Sequence, residues 1–416
     1  MKPFFRVQSL EQVWDRARSV DPVSTETVAL AEAAGRTLAA DFCAPHDLPG
    51  FDRSAMDGYA VHARDTFGAS ESEPAYLELQ GEVAMGQAPG FALQPKRCAR
   101  IGTGGMLPRG ADAVVMVEHT RDAEPTLVEI SRPVAPGTHV LCASDDAATG
   151  ELVLRAGQRL RPQDVGMLAA FGATAPLVRR RPRVAIVSTG DEVVPPEAAL
   201  APGQVRDVNA PVLATLAVDA GATPVPLGLV RDDVEGLRAA VARGLAEADV
   251  VLLSGGSSVG TRDLTAEVFL ESPGAELLVH GVSVAPGKPF IWVRSGRRHL
   301  LGLPGHVTSC MIAFHLFAEP ILERLHGREA RAFSRFGRTT ARLTRNIASS
   351  PGRTLFQRVR VSPGEHGLEA EPVPGRSGLL RSLVHANGLV MVALGHEGLE
   401  TGAMVEVLLF QDGGHR

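Results

Sequence analysis

A turn rich in glycine and serine follows a short apolar run near the middle of the chain. The run Val250–Leu253 predicts a buried strand, and the turn contains Ser254, Gly255, Gly256 and Ser257. Glycine permits close backbone approach, and successive bare N–H groups beside a helix N-terminus favour anions. The same pattern is equally compatible with an ordinary strand-to-helix connection. The anion-binding interpretation therefore depends on other groups converging on this turn.

Carboxylates and one lysine occupy turns that we expect at the same edge of a sheet. The acidic residues are Asp191, Glu192, Asp232, Asp233 and Asp263, and the cation is Lys288 in Pro-Gly-Lys-Pro. Carboxylate oxygens suit Mg²⁺, and backbone donors with a lysine suit a phosphate. Acidic groups without a metal would repel that phosphate. The combination predicts a phosphorylated ligand with a bound divalent cation, and the alternative is a solvated acidic surface.

Alternating strands and helices must position these groups. We predict strands at 184–188, 225–230, 250–253 and 299–303, and helices at 209–220, 234–248 and 308–325. This order predicts a parallel sheet covered by helices on both faces, which binds ligands beyond the carboxyl ends of its strands. Pro320 predicts a kink in the last helix.

The flanking regions follow other patterns. Helical spacing predicts helices at 9–20 and 29–41, and short alternating segments from 76 to 140 predict a β-rich domain. Alternation after Gly327 predicts a C-terminal all-β domain. The run Arg179–Arg183 is compatible with a nucleic-acid patch, but four arginines before a strand are more often a solvated linker. The pattern also changes near residue 181, where we expect a domain boundary.

Composition excludes several classes of protein. The 416 residues are 44% hydrophobic and 21% charged, with a net charge of −5, so bulk attraction for nucleic acid or membrane is not expected. An aromatic content of 5% argues against stacking platforms for single strands. The four cysteines lie far apart, so we expect neither a zinc site nor disulfides. The same spacing favours a cytoplasmic location. We predict no secretory signal and no membrane span.

Several motifs together resemble a known family. They are 49–60 (PGFDRSAMDGYA), 100–104 (RIGTG), 188–192 (STGDE), 254–257 (SGGS), Asp263, 286–289 (PGKP) and 303–305 (LPG). In this order they resemble the molybdopterin molybdenumtransferases, enzymes of molybdenum cofactor biosynthesis related to the C-terminal domain of gephyrin. The resemblance spans nearly the whole chain, and its first motif is highly specific.

The resemblance implies a fold and an activity. The fold would be multidomain α/β plus β: a central three-layer α/β domain of the molybdopterin-binding type, a β-rich second domain and a small C-terminal β-barrel. The implied domains are 1–45 with 143–180 (α/β dimerisation), 46–142 (β-rich insertion), 181–328 (molybdopterin-binding) and 329–416 (C-terminal β). The implied enzyme is a homodimer that inserts molybdenum from molybdate into adenylylated molybdopterin and releases AMP with Mg²⁺. Docking with molybdopterin adenylyltransferase is a further expectation.

Site residues follow from the same resemblance, position by position. Expected catalytic residues are Asp57, Glu192 and Asp263, and expected metal ligands are Glu192, Asp232 and Asp263. Expected substrate-binding residues are Thr103, Ser254, Gly255, Gly256, Ser257, Lys288, Pro304 and Arg358. Asp57 and Thr103 are expected to face the site from the β-rich domain, across the dimer interface.

The chain also departs from the family pattern. Two positions where relatives carry cations are Ala285 and Gly281, and the proline expected after the Leu-Pro-Gly turn is replaced by Val307. These changes weaken the anion-binding side of the site. His306 either restores charge when protonated or packs as a neutral ring. The missing cations are compatible with an alternative function, a non-catalytic molybdopterin-binding or scaffold protein. A second alternative is a molybdopterin adenylyltransferase, since the resemblance implies that the central domain type is shared with that enzyme.

Overall fold

The computed structural model describes residues 7–255 and 261–410, without the side chains of residues 261–263. The chain divides into two compact units. One contains residues 1–27, 35–39 and 177–416, and the other contains residues 28–34 and 40–176. The prediction of four domains is finer than this division and stays a prediction.

A six-stranded mixed sheet forms the centre of the first unit. Its strands, in spatial order, are Thr223–Val230, Arg183–Thr189, Val250–Ser254, Arg298–Leu303, Ile291–Ser295 and Ala275–His280. The first four are parallel, as the alternating pattern predicts. The last two pairings are antiparallel, because Ile291–Ser295 runs opposite to both of its neighbours. The expectation of a purely parallel sheet is therefore wrong at this edge, because a short hairpin joins Ile291–Ser295 to Arg298–Leu303.

Helices cover both faces of this sheet. They are Leu10–Arg18, Asn209–Asp219, Val234–Glu247, Thr261–Leu270, Val307–Ala313 and Glu319–Leu325. The short helix Arg381–His385 instead contacts strand Thr354–Gly364. Alternate strand residues enter different cores: Ile186 and Leu252 pack with Leu213, while Val187 and Leu253 pack with Val241. The period of two along each strand thus produces the predicted three layers.

The last predicted helix is irregular near its proline. A π-helical segment, Phe314–Ala318, separates its two α-helical parts. Pro320 has no N–H to donate to the carbonyl of Leu316. The indole Nε1 of Trp14 donates to that carbonyl at 2.9 Å instead. A side chain from the first helix therefore satisfies the acceptor that the proline leaves open.

A closed barrel forms the C-terminal part of the same unit. Its five strands are Thr354–Gly364, Gly367–Pro372, Gly337–Leu343, Met404–Leu409 and Gly388–Val392, and the last pairs again with the first. The short strand Val284–Ala285 adds to its edge. Further two-stranded pairs are Thr25–Thr27 with Leu177–Arg179, Val193–Val194 with Val205–Arg206, and Ile347–Ala348 with Gly398–Leu399. The predicted small β-barrel is confirmed.

The second unit is built mainly from β-strands. Its six-stranded sheet has the order Ala113–Met116, Gly58–Val61, Arg97–Ile101, Ala75–Glu82, Leu127–Ile130 and Thr120–Glu124. Short pairs are Arg53–Ser54 with Val140–Leu141 and Phe42–Cys43 with Leu152–Leu154, and the one α-helix among its described residues is Pro162–Ala170. Single 3₁₀ turns lie at Leu30–Glu32, Ala63–Thr66 and Val117–His119.

One predicted helix is absent. Of residues 29–41 only Leu30–Glu32 forms a 3₁₀ turn. Gly35 takes a φ of +77°, which an α-helix cannot contain, and Leu38 forms an extended bridge with Val178. Strand pairing with a distant residue therefore overrides the local helical spacing.

No helix in the described part of the chain is long and apolar enough to cross a bilayer.

Candidate functional site

A cavity of about 660 Å³ lies at the carboxyl end of the central sheet. The residues around it come from the ends of strands Arg183–Thr189 and Val250–Ser254, from the start of helix Asn209–Asp219, and from two turns. Its lining includes Ser188, Thr189, Glu192, Asp207, Asn209, Asp232, Ser254, Gly255, Gly305, His306, Val307, Gly378 and Leu380. This is the edge at which parallel strands place a ligand.

Gly255 allows the two strand ends to meet. A Cβ at this position would lie 2.1 Å from the carbonyl oxygen of Thr189, and the φ of Gly255 is +133°. No other residue fits there without displacing the backbone. Beside it, the hydroxyl oxygens of Ser188 and Ser254 lie 3.3 Å apart and are buried. Gly256 and Ser257, the other predicted residues of the turn, lie outside the described residues.

The cavity lining contains three carboxylates, Glu192, Asp207 and Asp232. Asp207 caps the helix that begins at Asn209, because its Oδ1 accepts from the N–H groups of Asn209 and Ala210. The hydroxyl of Thr189 donates to Asp232, and the backbone N–H of Asp232 donates to Asp191 Oδ1 at 3.4 Å. These bonds connect the ends of two neighbouring strands. The side chain of Asp263, the third predicted metal ligand, lies outside the described residues.

Asp233 has a different role from its neighbour. Its Oδ1 accepts from the N–H of Gly236 at 2.7 Å and caps the helix Val234–Glu247. The acidic pair therefore divides between one residue that lines the cavity and one that stabilises a helix.

Asn209 is a cavity residue that our motif reading missed. Its Nδ2 donates to the carbonyl of Gly305 at 2.8 Å, and Asp207 Oδ1 accepts from the N–H of Asn209 at 3.0 Å. The side chain is 8% exposed, and its Oδ1 is buried without a hydrogen-bond partner among the described atoms. A buried acceptor without a donor is costly, so a ligand N–H fits this position. The Asp-Val-Asn spacing before a predicted helix was the available signal.

Three predicted substrate-binding residues of the first unit do not line this cavity. Lys288 is exposed, and Pro304 is buried beneath the turn that contributes Gly305. Arg358 is 7% exposed. Its Nη1 donates to Ser382 Oγ at 2.6 Å and to Thr308 Oγ1 at 3.3 Å, and its Nη2 donates to the carbonyl of Gly375.

Burial lowers the pKa of Arg358. The hydrogen bonds of its guanidinium hold residues 375–382 beside the start of helix Val307–Ala313. That segment supplies Gly378 and Leu380 to the cavity wall. His306 also packs here, because a Cβ on Gly378 would lie 3.1 Å from its ring. Arg358 therefore acts on the cavity through the segment that it positions.

Asp57 and Thr103 meet in the second unit. The backbone N–H of Thr103 donates to Asp57 Oδ1 at 2.7 Å, and its hydroxyl donates to the same oxygen at 2.8 Å. The backbone bond, followed by the hydroxyl bond, lowers the pKa of Asp57 below its ordinary value. Both residues are exposed. The carboxylate is ionised and held in one orientation, although most of it faces solvent.

Comparison with known proteins gives a consistent assignment over the chain. Residues 8–172 match the MoeA N-terminal region (domain I and II), residues 185–324 match a probable molybdopterin binding domain, and residues 340–410 match the MoeA C-terminal region (domain IV).

Individual proteins are similar over almost their full length. A molybdopterin molybdenumtransferase of Bacillus subtilis is 34% identical over 398 residues, covering 93% of this chain and 90% of the relative. Molybdopterin molybdenumtransferase 2 of Mycobacterium tuberculosis is 36% identical over 373 residues, covering 88% and 90%. Two crystal structures of a molybdopterin biosynthesis protein from Pyrococcus horikoshii each give a TM-score of 0.82, with 37% and 30% identity. They cover 98% and 97% of this chain and all of their own. The chain is a transferase of molybdenum cofactor biosynthesis, and it belongs to the molybdopterin molybdenumtransferase family.

Proposed function

We propose that this transferase inserts molybdenum from molybdate into adenylylated molybdopterin, releases AMP and yields molybdenum cofactor. The observation that carries the proposal is the cavity at the carboxyl end of the central sheet. It combines a glycine turn suited to a phosphate with the carboxylates of Glu192 and Asp232, which suit a divalent cation. It also contains the Asn209 amide oxygen, which has no partner within the described part of the chain and suits a ligand N–H. A nucleotide-linked pterin contains a diphosphate and ring N–H donors, and thus matches all three.

Glu192 and Asp232 are the proposed Mg²⁺ ligands, with Asp263 as a third. The described part of the chain contains no group of three or more His, Cys, Asp or Glu side chains that could hold a metal. The oxygen donors of Glu192 and Asp232 fit Mg²⁺, which takes one or two carboxylates together with substrate phosphates. When bound, Mg²⁺ would neutralise charge that develops on the departing AMP.

The protein residues bind and orient the substrate in this proposal. The backbone N–H groups of the turn at Ser254 and Gly255 face the phosphate, and Asn209 Oδ1 accepts a hydrogen bond from the pterin. Thr189 fixes Asp232 through its hydroxyl. Asp57, held by Thr103, contributes a carboxylate, which we propose to reach the site of a partner subunit in a homodimer. A cytoplasmic location and docking with molybdopterin adenylyltransferase belong to the same proposal.

Release of AMP from adenylylated molybdopterin, with molybdate and Mg²⁺ present, tests the assignment. We expect Glu192→Gln and Asp232→Asn to reduce the rate by at least about a hundredfold, because each removes a proposed metal ligand. Asp233→Asn is the matched control: it changes the adjacent carboxylate, and asparagine retains helix-capping ability. Absence of AMP under conditions in which the Bacillus subtilis relative releases it would contradict the proposal. Equal losses in Asp232→Asn and Asp233→Asn would contradict the assigned ligands.

Ala285→Lys tests the departures from the family pattern. Position 285 lies in a strand at the edge of the barrel and is not among the residues with a positive φ. Gly281 has a φ of +92°, so lysine there would strain the backbone. A gain of activity in Ala285→Lys would show that the missing cation limits the rate. Tight ligand binding without AMP release in the wild type would instead favour a scaffold role.

A further inference from the structure

A second cavity, of about 500 Å³, lies at the other end of the central sheet. It is bordered by Asp249, just before strand Val250–Ser254, and by Arg298 and His299, at the start of their strand. The loop after the first helix completes it. It shares no lining residue with the cavity at the carboxyl end. The two cavities therefore lie at opposite ends of the strands of one sheet.

Arginine dominates the lining of this second cavity. The lining contains Arg16, Arg179, Arg180, Arg294, Arg297 and Arg298 against only two carboxylates, Asp21 and Asp249. The formal excess is thus four positive charges. His299 adds none at neutral pH, because burial, with a smaller contribution from Arg294, lowers its pKa to about 4.

Three of the six arginines form ion pairs with carboxylates, and two of these three share Asp249. Asp249 accepts two bonds from Arg180, at 2.6 and 2.7 Å, and one from Arg298 at 2.6 Å. Arg294 pairs with Glu276 at 2.5 Å. These pairs form the fixed wall of the cavity.

The other three arginines are bound only by neutral acceptors. Arg179 donates to the carbonyl of Val23 at 3.0 Å, and Arg297 donates to the carbonyl of Pro22 at 3.2 Å. Arg16 Nε donates to Gln8 Oε1 at 3.3 Å. Within residues 7–255 and 264–410, no carboxylate lies within 4.0 Å of these three guanidinium groups. Arg179 and Arg297 both donate to the same loop, at the consecutive residues Val23 and Pro22.

We propose that this second cavity binds a small phosphorylated ligand, with Arg16, Arg179 and Arg297 as its anion contacts. Guanidinium groups bind phosphate oxygens through paired hydrogen bonds. The cavity has the size of a small-molecule site and is too small for a nucleic-acid strand. A pyrophosphate or phosphomonoester group would compensate the charges that the protein leaves unpaired.

Calorimetric titration of the full chain with inorganic pyrophosphate in EDTA tests the proposal. Without a divalent cation the carboxylates of the first cavity repel this probe, so binding reports on the second. We expect a Kd of about 1 mM or tighter, with an affinity that falls as NaCl rises. Arg16→Gln/Arg297→Gln should bind at least about tenfold more weakly. Arg360→Gln, which removes an exposed arginine from the barrel, should bind as the wild type does.

Two further variants fix the location. Asp21→Asn removes the unpaired carboxylate of the lining and should tighten binding by about threefold. Asp233→Asn, which lies outside the lining of both cavities, should leave the affinity unchanged. Thermal unfolding without ligand verifies that each variant is folded. The proposal is overturned if pyrophosphate does not bind, if the double variant binds like the wild type, if Arg360→Gln loses as much affinity, or if Asp21→Asn binds more weakly.

Discussion

Replacing Arg358 with methionine separates a positioning role from direct substrate contact. Arg358 lies within the structure and binds Ser382, Thr308 and the carbonyl of Gly375. Methionine retains most of the apolar stem but cannot donate to any of these acceptors. The segment 375–382 should then separate from the helix that begins at Val307.

The expected loss of stability follows from these bonds. Hydrogen bonds from a charged group contribute about 1.5–3 kcal/mol each, so three give roughly 5–9 kcal/mol. Desolvation of the guanidinium opposes this by several kcal/mol, consistent with its lowered pKa. We therefore expect Arg358→Met to reduce the free energy of unfolding by about 2–4 kcal/mol. Arg360→Met, on the same strand but exposed, should change it by no more than about 0.5 kcal/mol.

Urea denaturation measures the stability, and hydrogen exchange at residues 375–382 measures local release. If Arg358 acts by positioning, exchange in this segment rises and KM for adenylylated molybdopterin increases more than kcat falls. Unchanged exchange with a large fall in kcat would show that Arg358 touches the substrate. Equal stability of Arg358→Met and Arg360→Met would refute the energetic argument.

Three other perturbations give distinct expectations. Gly255→Ala should lower the free energy of unfolding by about 3 kcal/mol or more, because the new Cβ would lie 2.1 Å from the Thr189 carbonyl oxygen. Gly274 has a φ of +62°, and no atom lies within 4 Å of the position that a Cβ would take there. Urea denaturation should therefore show a loss of only about 1 kcal/mol for Gly274→Ala. The His299 pKa is lowered from 6.5 to about 4 in the folded state, so the unfolded chain takes up the proton more readily. About 3 kcal/mol of stability present above pH 6.5 should then be lost as pH falls toward 4, and denaturation of His299→Gln should show a shallower pH dependence. Thr103→Val removes the hydroxyl bond to Asp57 and keeps the backbone bond. This variant should lower the rate of AMP release by about tenfold with an unchanged melting temperature. A lower melting temperature with an unchanged rate would show that the pair serves only the stability of the fold.

Strongly periodic segments of the sequence predicted their elements well. The helix after Ser9 was predictable because a capping serine precedes apolar residues at helical spacing, and the structure has Leu10–Arg18 with Ser9 as its cap. The central strands were predictable because buried parallel strands read as continuous apolar runs. The structure of segment 29–41 was not predictable in this way, because Leu38 pairs with Val178, a residue 140 positions away.

The sequence by itself determined the four parallel strands of the central sheet and the family, because apolar periodicity and short motifs are local properties. It also placed Glu192, Asp232 and the turn at Gly255 at one edge, since the carboxyl ends of parallel strands coincide. Only the tertiary structure decided which polar groups have partners. Folding buries Arg358 among neutral acceptors and brings three arginines distant in sequence to one cavity. It also leaves Asn209 Oδ1 without a donor among the described residues. Hydrogen bonding and charge compensation depend on distances in space, which residue spacing does not encode.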